Sequence, residues 1–294
     1  NVHPMSNYEF DYVLFEQDVR DAVRAIDNVI DRTMYPLAAQ EREAKAKRRM
    51  GLGYTGIANC IETMGHPYGT EGYIRELKKI HRFMTNTAYR ASIEIAKEKG
   101  SFPLFDAEKW LESGFAKSGA LDEDVLHGIR TIGLRNGLLM SIAPTGTISL
   151  AADNVSSGGE PVFSEQQSRT VNMQDGVVQV ELNDYAYTEF GTRARTAEEV
   201  TPREHIAVLC AMQEFTDSAV SKTCNVYGKK AGHGKGITFN EFQSLYMQAY
   251  DGGAKGCTTF NSNGKRMGIL TAKLRNEDEA PAESTGTDGM ACFF

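Results

Sequence analysis

The sequence predicts an α/β protein with parallel strand pairing, because segments of helical periodicity alternate with short apolar runs that are closed by turn residues. Val19, Ala22, Val23, Ile26, Val29 and Ile30 recur at steps of three and four, which predicts an amphipathic helix from about Phe15 to Asp31, with Pro36 marking its exit. Tyr73, Leu77, Ile80 and Met84 repeat the pattern from about Gly72 to Lys99, and Gly100 stands where a C-cap glycine stops a helix. Thr201-Pro202-Arg203-Glu204 supplies an N-cap hydroxyl, a proline at the first helical position and a carboxylate at the third. A helix to about Val220 is expected there, with Ile206, Leu209, Cys210 and Met212 facing inward and Cys210 packing as a small hydrophobe. The strand candidates are Leu138 to Ala143, closed by Pro144, and Gly256 to Phe260, followed by the turn-rich Asn261-Ser262-Asn263-Gly264 and then Met267 to Leu270.

Composition narrows the class. A chain of 294 residues with 41% hydrophobic and 24% charged residues can bury a sizeable core. The net charge of −7 offers no basic stripe, so nucleic acid is not expected as a partner. The basic run within Glu41 to Arg49 is interleaved with acids and reads as a solvated helix face. No apolar run is long enough for a membrane span and no secretory pattern opens the chain, so the expected setting is the cytoplasm, without membrane contact. Cys60, Cys210, Cys224, Cys257 and Cys292 are odd in number and never spaced as a zinc pair, which points to reduced thiols. His3, His66, His81, His127, His205 and His233 show no ligand spacing, so no metal is assigned, and His233 reads as part of a glycine-rich surface turn. From about Arg275 the composition turns acidic and polar with little to bury, which divides the chain into a body of residues 1–273 and a flexible acidic tail of residues 274–294. The tail ends in the apolar cluster Met290-Ala291-Cys292-Phe293-Phe294.

The segment that points to chemistry is Ala143-Pro144-Thr145-Gly146-Thr147-Ile148-Ser149. A strand that hands over to a hydroxyl-rich loop and then to a helix start collects free amides and the positive end of a helix dipole, which suits a phosphate. Gly146 would let the backbone approach the anion, and Thr145, Thr147 and Ser149 could add hydroxyl donors. No Gly-Lys-Ser/Thr follows, so this is not a Walker-type loop, and by residue chemistry alone a simple Pro-Thr-Gly turn remains open. If the loop instead served an ordinary phosphate-using enzyme, Asp153 and Glu160 would be the nearby acids, although both read as solvated.

Ser141 to Leu150, continued by Asp153 to Phe163, resembles the substrate-phosphate loop of cobalamin-dependent ribonucleotide reductases. Colinear similarities are Asp27 to Asp31 with Tyr35-Pro36, Arg48 to Gly53, Lys97 to Gly100 with Phe102 to Phe105, Ser221 to Asn225, and Lys255 to Arg266. Gly159 departs from the family pattern, which has a bulky aliphatic residue there. The resemblance implies the second half of a ten-stranded α/β barrel, in which a thiyl radical on a finger loop replaces the 2′-hydroxyl of a ribonucleotide with hydrogen. It assigns the phosphate cradle to Thr145, Gly146, Thr147, Ile148 and Ser149.

The family's Asn-Pro-Cys-Gly-Glu finger loop has no counterpart here, so the thiyl cysteine and an N-terminal half of the reductase are expected upstream, and this chain alone is expected to be inactive. Cys60, Cys210, Cys224 and Cys257 are then packed or loop thiols. Cys292 resembles the first cysteine of the family's redox tail, which exchanges with a thioredoxin-like reductant. Thr258 and Thr259 stand where metal-radical reductases have adjacent tyrosines, which favours adenosylcobalamin as the radical source. The alternative is a nucleotide- or phosphate-binding fragment that has lost the radical machinery.

Overall fold

The computed structural model describes residues 8–173, 176–226, 237–261 and 270–272. Helix α1 (Tyr12–Arg32) starts at Asp11, whose carboxylate accepts from the amides of Val13 and Leu14, both at 3.0 Å. It buries Val19, Val23, Asp27 and Ile30, whereas Val29, expected inside, is 60% exposed. Helix α2 (Ala38–Lys47) is the solvated element expected of the basic run, with Lys45 and Lys47 paired to Glu41 and Glu43. Helix α3 (Ile57–Thr63) is buried throughout. Helix α4 (Glu71–Lys99) is capped by Thr70 and ends at Gly100, whose φ of 85° is readily adopted by glycine. Its buried residues include Tyr73, Leu77, Ile80 and Met84, and it lies along α1.

Short helices α5 (Ala107–Leu111), α6 (Gly114–Lys117) and α7 (Glu123–Thr131) lead to the extended segment at 138–142. After the one-turn helix α8 (Ile148–Ala151) come strands β1 (Gln166–Met173) and β2 (Gly176–Asn183), an antiparallel pair. Helix α9 (Tyr185–Phe190) follows, and then α10 (Pro202–Gln213), which carries the capping box expected at Thr201 and Glu204. That helix stops well short of Val220. The Gln213 amide donates to the carbonyls of Thr216 at 2.9 Å and Ser218 at 3.1 Å, which fixes a turn and releases the chain into an extended path.

Four extended segments run parallel. Leu52 bridges Met140, Ile142 bridges Val220, and β3 (Thr223–Val226) pairs in register with β4 (Thr258–Asn261), after helix α11 (Phe239–Asp251). Close approach of the first two depends on glycine: a Cβ on Gly51 would lie 2.3 Å from Ser141 Oγ, and one on Gly53 only 2.5 Å from the Ser141 carbonyl oxygen. Asp217 anchors the second to the third, because its carboxylate accepts from the amides of Leu139 at 2.7 Å and Met140 at 3.0 Å and from the Tyr89 hydroxyl at 2.7 Å. The α/β expectation with parallel pairing therefore holds. The described residues contain five strands, of which β1, β2 and β5 (Leu270–Ala272) form a separate antiparallel sheet that the periodicity did not foretell. The tail expected at 274–294 and most of the Met267 to Leu270 run lie outside the described residues.

Candidate functional site

The extended segment at 138–142 delivers its C-terminal end to the candidate loop. Ala143 and Pro144 are exposed, and Thr145 turns the chain with φ of 49°, an outlier conformation for a β-branched residue. Gly146, Thr147 and Ile148 are exposed, Ile148 at 61%. Ser149 closes the turn, its amide donating to the Thr145 carbonyl at 2.9 Å. Leu150 donates to Thr147 and Ala152 to Ile148, both at 3.2 Å, whereas the amides of Gly146, Thr147 and Ile148 have no acceptor among the described residues. Thr145 Oγ1 is buried without a partner. The helix dipole expected from sequence is small here, because α8 has four residues; what the loop can offer an anion is its three unpaired amides.

Ser149 behaves differently from its neighbours. It is 2% exposed, and its hydroxyl lies 2.9 Å from that of Ser157. Gly158, with φ of 50°, sits so near the strand end that a Cβ would be 2.3 Å from the Ala143 carbonyl oxygen. Residues 157 and 158 therefore support the loop from its inner side.

Glu160 is not the solvated acid that its neighbours in sequence suggested. Its carboxylate accepts from the Thr223 amide and from Lys222 Nζ at 3.0 Å, which ties the segment after the loop to β3. Lys222 is 3% exposed, lies 3.0 Å from His205 Nδ1 and sits 5.3 Å above the Tyr68 ring. Burial, helped by the Lys222 charge, depresses the His205 imidazole to about 2, so the ring is neutral and Lys222 donates to it. Sequence inspection did not join these four residues, which come from separate elements. Asp153 is exposed with φ of 55°, and Asn154 donates to the Asn183 carbonyl at 2.8 Å.

Cys60, Cys210, Cys224 and Cys257 form no disulfide among the described residues, Cys60 and Cys224 being buried and the others half-buried. Burial raises Cys224 to about 12 and also raises Cys210 and Cys257, which makes these three poor thiolates and fits their reading as packed residues. No group of three His, Cys, Asp or Glu residues among the described residues could hold a metal ion. Cys292 and His233 lie outside the described residues.

The family model for the ribonucleotide reductase barrel domain matches residues 1–194 and 179–260. The chain belongs to this family. It is 28% identical over 97% of its length to the vitamin B12-dependent ribonucleoside-diphosphate reductase of Mycobacterium tuberculosis (strain CDC 1551 / Oshkosh), covering 42% of that protein. A protein of the same description from Thermoplasma acidophilum is 26% identical over 90% of the chain, covering 35% of that relative. The vitamin B12-dependent ribonucleotide reductase of Streptomyces coelicolor is 24% identical over 95% of the chain, covering 34% of its own length. The chain thus spans less than half the length of these relatives, and their names agree with the class inferred from the loop motif.

Two sequence blocks that carried the family resemblance meet in space. The Arg48 guanidinium donates to the Asp27 carboxylate at 2.7 and 3.0 Å and to that of Asp31 at 2.7 and 3.0 Å. The departure from the reductase pattern at Gly159 also has a physical counterpart: a Cβ there would be 2.5 Å from Met212 Sδ, so methionine fills the space that an aliphatic side chain would take. The Tyr68 hydroxyl uses the same spot, donating to the Gly159 carbonyl at 2.6 Å.

Proposed function

We propose that this chain contributes the substrate-phosphate loop to a cobalamin-dependent ribonucleotide reductase, with Thr145, Gly146, Thr147, Ile148 and Ser149 as the cradle. The observation that carries the reading is the exposed trio of unpaired amides at Gly146, Thr147 and Ile148, displayed where the segment at 138–142 ends. Those amides would bind the phosphate oxygens, the hydroxyls of Thr145 and Thr147 would add donors, and Ser149 would hold the turn from beneath. Residues 1–273 would form the second half of the ten-stranded barrel, and 274–294 a tail whose Cys292 receives electrons from a thioredoxin-like reductant.

In the complete enzyme the overall reaction converts a ribonucleotide and a dithiol into a deoxyribonucleotide, a disulfide and water. Adenosylcobalamin, when bound, supplies the radical. Loop residues 143–149 line neither the cavity of about 1160 Å³ bordered by Tyr89, Trp110, Phe115 and Gln213 nor the one of about 230 Å³ bordered by Gly53, Thr55, Gly56, Tyr185 and Phe190. The finger-loop cysteine would come from residues outside this chain, so the chain by itself would bind nucleotide without reducing it.

Titration of the chain with a ribonucleoside diphosphate tests the reading. Gly146→Asp should weaken binding at least about tenfold, because a carboxylate would face the anion at the point of closest approach. Unchanged affinity would remove the loop assignment.

A further inference from the structure

The loop's exposed residues have no buried side chain to hold them, so its shape must be set from the side that is covered. That side leads to a chain of hydrogen bonds that none of the family blocks includes as a whole. Ser149 meets Ser157 through their hydroxyls at 2.9 Å. The adjoining Ser156 is 5% exposed and fully engaged: its carbonyl accepts from the Gly56 amide at 2.7 Å, and its hydroxyl accepts from the amides of Ala58 at 3.2 Å and Asn59 at 3.4 Å. The Ser156 amide donates to Asn59 Oδ1, and Asn59 Nδ2 donates to both oxygens of Asp184 at 2.8 and 2.9 Å. Asp184 in turn caps α9 by accepting from the Tyr187 amide at 3.2 Å.

We propose that Asn59 is a positioning residue for the phosphate loop, set by Asp184 and acting through Ser156 and Ser157 on Ser149. The proposal rests on the phosphate reading of the loop. Asn59 is 5% and Asp184 3% exposed, so neither can exchange its partner for water without opening the core. The position demands a side chain that accepts from an amide and donates to a carboxylate at once. Asparagine does both; aspartate would set two carboxylates face to face, and leucine would strand the Ser156 amide. The Ser156–Gly158 segment is pinned at both ends, by Asn59 and by the Gly158 contact on Ala143, so a displaced Ser156 moves the hydroxyl that Ser149 rests on.

The test measures binding of inorganic pyrophosphate to the full chain by calorimetry, with thermal melting of each variant recorded alongside. Asn59→Asp should lower pyrophosphate affinity about tenfold or more, and the exchange variant Asn59→Asp with Asp184→Asn should restore it, since donor and acceptor are then merely swapped. Ser157→Ala, at a half-buried position, should lower affinity about fivefold with a melting point within about two degrees of the parent, while Ser157→Thr retains binding. A purely structural role for the chain of bonds would move the melting points and leave affinity untouched. Parent-like affinity in Ser157→Ala, or failure of the exchange to restore binding, would overturn the positioning role while leaving the loop assignment standing. Absence of pyrophosphate binding by the parent chain would overturn the phosphate reading and this proposal together.

Discussion

At the scale of single residues, Arg48 separates what charge patterning reveals from what it hides. The basic run was read as a solvated face, and that holds for Lys45 and Lys47, which pair with exposed glutamates one turn away. Arg48 takes φ of 45° at the end of α2, which turns its side chain inward to 3% exposure, where Asp27, fully buried, receives it. Asn136 and Arg135 complete the shell around Asp27 at 3.1 and 3.2 Å. Nothing in the residue order marks one arginine of a basic run as the buried one, since the left-handed turn that selects it depends on the packing of α1. Arg48→Met should destabilise the chain by roughly 3 kcal/mol, because it leaves a buried carboxylate short of its principal partner. Arg48→Lys should recover little of this, having no planar fork to span Asp27 and Asp31. Urea unfolding decides the point, and a loss below about 1 kcal/mol for the methionine variant would mean that Arg135 and Lys99 suffice to neutralise Asp27.

At the scale of elements, the helices were legible where local chemistry dictates them and illegible where distant contacts do. The caps at Gly100 and Thr201 follow from neighbouring residues and were read from them, whereas the Thr70 cap of α4 was not. Nor was the end of α10, because the Gln213 side chain closes a turn onto Thr216 and Ser218 while Asp217 reaches the amides of Leu139 and Met140 on a distant segment. The β1–β2 pair escaped a helix-centred reading, although Asp175-Gly176 between Thr170-Val171 and Val177-Val178 is a recognised hairpin signal. The loop at 143–149 was singled out by its motif; its contacts to Ser157, Asn59 and Asp184 were not, since they come from three separated stretches of the chain. Two glycines test how far elements constrain one another. Gly53→Ala should cost about 2 kcal/mol, because its methyl would press on the Ser141 carbonyl oxygen at 2.5 Å and push the adjoining parallel segments apart. Gly146→Ala should change stability by less than about 1 kcal/mol, since its methyl would meet no heavy atom within 4 Å, yet it should weaken anion binding. Equal stability losses in the two variants, measured by denaturant unfolding, would contradict this ranking.

At the scale of the whole molecule, opposed buried groups govern how stability varies with pH. Glu62 is 4% exposed, and burial, reinforced by the nearby Asp184 charge, raises it to about 7 even though the amides of Tyr68 and Arg195 donate to it at 3.0 and 2.8 Å and the Arg195 charge favours ionisation. Burial likewise raises Asp184 to about 6. The folded chain therefore holds these protons more tightly than the unfolded chain, so their contribution is fully present below the unfolded carboxylate range near 4 and is lost as pH rises through 6 to 7. His81 works in the other direction. The Thr216 hydroxyl donates to the Met212 carbonyl at 2.8 Å, so it accepts from His81 Nε2 at 3.1 Å and leaves Nδ1 to accept from the Tyr54 hydroxyl at 2.8 Å. Burial holds this neutral ring at about 4, and His205 at about 2, so the stability they support is present above pH 6.5 and falls away as pH drops through those values. Between about pH 4.5 and 6 the two pairs offset each other, while above pH 6.5 the Glu62 loss stands alone. Glu62→Gln mimics the protonated carboxyl. Its stability relative to the parent should therefore improve steadily from pH 5 to pH 8, by up to about 3 kcal/mol, as followed by melting temperature at fixed salt. A difference between variant and parent that stays constant across that range would show that Glu62 ionises as easily in the folded chain as in the unfolded one, and that the bonds to Tyr68 and Arg195 fully compensate its burial.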